Sequence, residues 1–127
     1  MTIEVPKLSG SVISADATSE ESIVRARFSG TADLEAKDDL QLFVSKLHPE
    51  SVRISAKEVI VDFRELEFMN SSCFKIFVNW LAQVRDLDAS KQYKILILSN
   101  PTQHLWQRRS LAALACFAVD LVKIEST

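Results

Sequence analysis

Residues 59–87, VIVDFRELEFMNSSCFKIFVNWLAQVRDL, with residues 93–111, YKILILSNPTQHLWQRRSL, decide the fold. The runs 58–64 (EVIVDFR) and 93–99 (YKILILS) are short, apolar and rich in β-branched side chains, the pattern of strands buried on both faces. Between them, 71–88 repeats its apolar residues at helical spacing. Asn70, Ser71 and Ser72 stand where that helix begins, and all three are good capping residues. Two apolar strands joined by a helix of this length imply a βαβ unit with parallel pairing and a right-handed crossover.

Working outward, Asn100-Pro101 reads as the cap and first turn of a helix over 101–112, with a last short element at 121–124. Upstream, 23–28 reads as a strand ending in the turn Ser29-Gly30. Leu40, Phe43, Val44 and Leu47 then fall on one face of a helix over 38–47 that stops near His48-Pro49. Residues 50–57 read as a loop, and 65–70 as a turn. Residues 1–22 are rich in Ser, Thr and acidic side chains, and read as a short strand with a polar loop or a partly mobile lead-in. The expectation is one α/β domain over 1–127, with a mixed central sheet of four to five strands and helices mainly on one face.

Composition removes whole classes of function. The 127 residues include 15 Lys and Arg against 17 Asp and Glu, a net charge of -2. That balance gives no basic footprint for nucleic acid or an anionic membrane. With two glycines, Gly10 and Gly30, far apart, neither a dinucleotide fingerprint nor a Walker A loop can be present. Two cysteines and two histidines, distant from each other, hold no zinc pattern. No metal or cofactor is expected. No stretch approaches the roughly 20 apolar residues of a membrane helix, so the chain reads as not membrane-inserted and cytoplasmic, with reduced thiols.

The helix from Ser71 carries the two informative features. On its wheel, Phe74, Phe77, Val78, Leu81 and Val84 form a stripe that docks on a sheet, and Lys75, Asn79, Gln83 and Asp86 lie opposite. Ile76, Trp80 and Leu87 sit on a flank that either packs on a neighbouring helix or offers a docking surface for another protein, centred on Trp80. Its N-terminus presents unpaired backbone N–H groups and the positive end of the dipole, both of which favour an anion. A phosphate on Ser71 would sit in that field, with Lys75 one turn on to help neutralise it. Ser71 as a nucleophile would need His48 or His104 as base, and nothing in the sequence orients either, so no catalytic residue is assigned.

The order of these pieces resembles the STAS domain, the fold of bacterial anti-sigma factor antagonists and of the cytoplasmic tails of sulfate transporters. The resemblance rests on the two stretches quoted first and on FSGTADLEAKDDLQLFV (28–44), and runs from about Val24 onward. In that family a buried strand leads through an apolar turn to Asp-Ser-Ser/Thr-Gly, which opens a helix. By position, Ser71 matches the serine that a partner kinase phosphorylates, and Ser72 the second hydroxyl residue. Asn70 stands where the family has Asp, and Cys73 where it has Gly. The resemblance implies a non-enzymatic partner-switching module. Its partners would be an anti-sigma factor that is also a serine kinase, and a phosphatase; its phosphosite loop would be Asn70, Ser71, Ser72, Cys73 and Lys75, with Ile76 and Trp80 at the contact. The alternative is a constitutive adaptor or scaffold of the same fold that never carries phosphate.

Overall fold

The computed structural model describes residues 2–126. The elements run β1 (Leu8–Ser9), β2 (Ile13–Glu20), β3 (Ile23–Ala32), α1 (Lys37–Arg53), β4 (Glu58–Met69), α2 (Ser71–Arg85), β5 (Lys94–Ser99), α3 (Trp106–Phe117) and β6 (Val122–Ser126). They form one sheet in the order β1-β2-β3-β4-β5-β6, antiparallel as far as β3 and parallel from β3 to β6. Each parallel crossover steps in the same direction, so right-handed connections put α1, α2 and α3 on one face. The mixed sheet and one-sided helices match the expected class, with six strands instead of four to five.

The strand faces follow from alternation. Val24, Ala26 and Phe28 of β3, Val59, Val61 and Phe63 of β4, and Ile95 and Ile97 of β5 are buried beneath the helices. Phe28 sits at the centre of an aromatic cluster, edge-on to Phe43 and Phe77 at 5.5 and 5.6 Å, with Phe63 edge-on to Phe77 at 5.2 Å. Such pairs add about 0.5–1.5 kcal/mol each beyond the area they bury.

Residues 65–69, read as part of a turn, continue strand β4 beside β3, and four further boundaries differ from the sequence reading, each for a physical reason. The polar stretch 13–20 is a full strand, because β3 supplies a complete antiparallel ladder from Ile13↔Gly30 to Glu20↔Ile23. Its inward residues Ile13 and Ala15 are buried, while Ser, Asp and Thr face out. β3 runs on through Gly30, whose φ of 93° and backbone approach to Val12 exclude a side chain; a Cβ there would lie 2.3 Å from the Val12 oxygen. α1 continues through Pro49 to Arg53, since Pro49 and Ser45 are both on the solvent side and the carbonyl freed by proline faces water. α3 begins at Trp106, with 101–105 forming a turn.

That last difference has its cause in β4. β5 pairs with β4 only from Glu58 to Asp62, whereas β4 runs on to Met69 beside β3, with register shifts after Arg27 and Gly30. The carbonyls of Phe63 and Leu66 therefore lack a strand on one side. The buried Gln107 donates through Nε2 to both, at 2.6 and 3.1 Å, and Trp106 Nε1 donates to Leu66 at 3.1 Å. Gln107 Oε1 in turn accepts the Asn100 N–H at 2.7 Å. One glutamine stands in for the missing length of β5.

Candidate functional site

The C-terminal ends of parallel strands β3, β4 and β5 lie at one end of the sheet, and three connections gather there: 33–36, Asn70 and 100–105. Asn70 organises the middle one. Its N–H donates to Ala32 at 2.9 Å, anchoring the turn to β3. Its Oδ1 accepts the Cys73 N–H at 2.8 Å, and its carbonyl accepts the Phe74 N–H at 2.9 Å. Asparagine is therefore the N-cap of α2, with the extended backbone a cap requires.

Capping by Asn70 leaves Ser71 as the first helical residue. Its side chain is exposed, and Ser72 is half-buried. The Ser71 and Ser72 N–H groups have no acceptor among the described residues, so two donors and the positive end of a fifteen-residue helix point outward beside the Ser71 hydroxyl. Lys75 is exposed one turn on, with its ammonium unpaired among the described residues. This is an accessible hydroxyl in a field that tolerates negative charge.

The Cys73 side chain turns inward. It is buried and its Sγ donates to the Asp33 carbonyl at 3.4 Å, joining the start of α2 to the connection after β3. Burial pushes its thiol above the ordinary value, with the Asp33 charge adding to the rise and Lys37 opposing it. The cysteine side chain packs inside and leaves the outer surface of the turn open.

Ile76 and Trp80 are not a docking surface. They are 3% and 2% exposed, and both belong to the buried stripe Cys73, Ile76, Phe77, Trp80, Leu81 and Val84. α2 is the middle helix of three, so it buries a flank against α1 as well as a face against the sheet. Trp80 Nε1 donates to the buried Tyr93 hydroxyl at 2.7 Å, and that oxygen lies 2.6 Å from His48 Nδ1. Desolvation holds His48 below its ordinary pKa. Tyr93 immediately precedes β5, so this trio lies at the end of the sheet opposite Ser71 and His48 cannot serve it as a base. His104 is at the same end as Ser71, but its ring makes no hydrogen bond or ion pair among the described residues.

Three exposed apolar side chains gather instead around the three connections, while Ile23, Leu42, Phe117 and Val119 are exposed elsewhere. Leu34 is 72% exposed, Phe68 46% and Leu105 76%. They come from the loop after β3, the end of β4 and the turn before α3, and so rim the end of the sheet where α2 begins. Sequence reasoning missed them because Phe68 was read as part of a turn, Leu105 as part of the helix over 101–112, and Leu34 as part of no element. The available signal was the run Glu67-Phe68-Met69, where an aromatic side chain interrupts the acidic, solvent-facing positions of β4. A separate concavity of about 590 Å³ lies on the helix-free face, lined by Lys7, Asp16, Arg27, Asp62, Arg64 and Asn100 among others. Its charges are already satisfied in part, since Arg64 holds Asp62 through two hydrogen bonds of 2.9 and 2.7 Å.

Among the described residues no three metal-ligating side chains converge, and no helix is long and apolar enough to cross a membrane. No family model matches the sequence, and no curated protein matches it. Solved structures do match. An anti-sigma factor antagonist from Mycobacterium paratuberculosis superposes with a TM-score of 0.64 at 17% identity, over 94% of this chain and 92% of that one. The anti-sigma factor antagonist SpoIIAA in its unphosphorylated form gives a TM-score of 0.55 at 18% identity, over 87% of each chain. The chain has the fold of these antagonists, the STAS fold.

Proposed function

We propose that this chain is a non-enzymatic switch module of the cytoplasm. It binds a protein partner at the Ser71 end of the sheet and releases it when Ser71 is phosphorylated. The partner is an anti-sigma factor of the serine-kinase type, and a phosphatase restores the binding form. One observation carries the reading: the exposed Ser71 hydroxyl lies at the start of α2, at the end of the sheet rimmed by the exposed side chains of Leu34, Phe68 and Leu105.

Phosphate at that position adds about two negative charges. The free chain accommodates them through the two outward N–H groups and Lys75. In the complex the same charges must be desolvated against an apolar contact, which costs binding unless the partner supplies cations. A penalty of about 3 kcal/mol weakens affinity more than a hundredfold, with no refolding.

The test is incubation of the chain with its cognate kinase and ATP, followed by intact-mass measurement. A gain of one phosphoryl group on wild type, absent in Ser71→Ala, supports the switch. A second reading, a constitutive adaptor, is favoured by Asn70, which caps the start of α2 without any charge. In that case Phe68→Ala weakens the complex while Ser71→Asp leaves it intact.

A further inference from the structure

β6 is an edge of the sheet, and its outer side pairs with no strand among the described residues. The register Ile95↔Val122, with the Ile95 N–H donating to Leu121 at 2.8 Å, fixes which backbone groups are used inward. In a parallel ladder of this phase, residues 121, 123 and 125 turn their N–H and C=O groups to β5. The Glu125 carbonyl indeed accepts from Ser99 Oγ at 3.1 Å. The backbone groups of Ile124, with the Val122 carbonyl and the Ser126 N–H, therefore point outward.

We propose that this edge pairs with β6 of a second copy of the chain, antiparallel about a two-fold axis at Ile124, forming one continuous sheet. In that register Ile124 faces the second copy's Ile124 as a hydrogen-bonded pair, and the Ser126 N–H meets the second copy's Val122 carbonyl. The outward groups are the ones the pairing needs. Lys123 then stands opposite the second copy's Glu125, and Glu125 opposite its Lys123, at non-hydrogen-bonded positions where side chains approach most closely. All four are exposed on the helix-free face. A shift that centres the axis on Lys123 or Glu125 sets like charges against each other and turns the wrong backbone groups outward. Charge and hydrogen-bond phase thus select the same register, and that agreement identifies the second copy as the occupant. The Ser71 end stays free in each subunit, so this pairing is independent of the switch.

Sedimentation of the full chain from micromolar concentration to about 1 mM tests it. Wild type is expected to dimerise with rising concentration. Lys123→Glu and Glu125→Lys, each alone, should weaken dimerisation about tenfold or more by replacing attraction with repulsion at both pairs. An equimolar mixture of the two variants should form the heterodimer, because each supplies the charge the other lacks, and that arm also shows that both variants are folded. Wild type that stays monomeric to about 1 mM, single variants that dimerise like wild type, or a mixture that fails to associate would each overturn the proposal.

Discussion

Gln107 donates a 2.6 Å hydrogen bond from the first turn of α3 to the carbonyl of Phe63, where β4 outruns β5. The contact ties the sheet to the connection that carries Leu105. Gln107→Leu keeps the volume but leaves the Phe63 carbonyl and the Asn100 N–H without partners. Each buried orphan costs about 1–3 kcal/mol, so a loss of about 3 kcal/mol is expected in urea unfolding. A loss below about 0.5 kcal/mol would show that these groups are satisfied some other way.

Gly30 is required by its positive φ and by the Val12 backbone beside it. Gly30→Ala is expected to destabilise the chain by about 2–4 kcal/mol through strain and displacement of β2. The variant's unfolding midpoint, compared with wild type under the same conditions, reads this directly.

How much was legible in the sequence depends on whether local pattern or a distant partner decides an element. α2 was readable from its helical spacing, and β5 and the first half of β4 from their unbroken apolar runs; residues 65–69 of β4 were not, because Glu65 and Glu67 break the run. β2 was not, since ISADATSE has only two strongly inward residues and becomes a strand through its ladder with β3. Pro49 reads as a stop only if the carbonyl it frees is buried, and here it is not. The Ser71 position was legible from its capping residues, although the contact surface was placed on Trp80. An apolar flank on a helix does not say whether a neighbouring helix covers it, and α1 does.

Acid should act first through His48. Its folded pKa lies below the ordinary 6.5, so below pH 6.5 the unfolded chain binds the extra proton more readily. Stability is therefore lost as pH falls from about 6.5 through the folded value, and levels off below it. A second loss begins below about 3.8, the ordinary value for Asp62. Burial alone would raise that carboxyl, but the bidentate Arg64 outweighs burial and holds it lower. His48→Phe should remove the first phase and spare the second in urea unfolding followed from pH 7.5 to 3. Retention of both phases would assign the first to another group.

The two thiols should separate by reactivity. Cys116 is exposed, whereas Cys73 is buried with its thiol held above the usual range by burial. A thiol reagent at neutral pH should modify Cys116 rapidly and Cys73 only when the chain opens. Equal rates would mean that the start of α2 is open in the native state.

The central claim, that charge on residue 71 governs who occupies this end of the sheet, is tested most directly by calorimetric titration. The kinase-type partner is titrated with the unmodified chain and with the chain phosphorylated at Ser71. The account predicts a dissociation constant at least about a hundred times weaker for the phosphorylated form. Equal affinities for the two forms would contradict it.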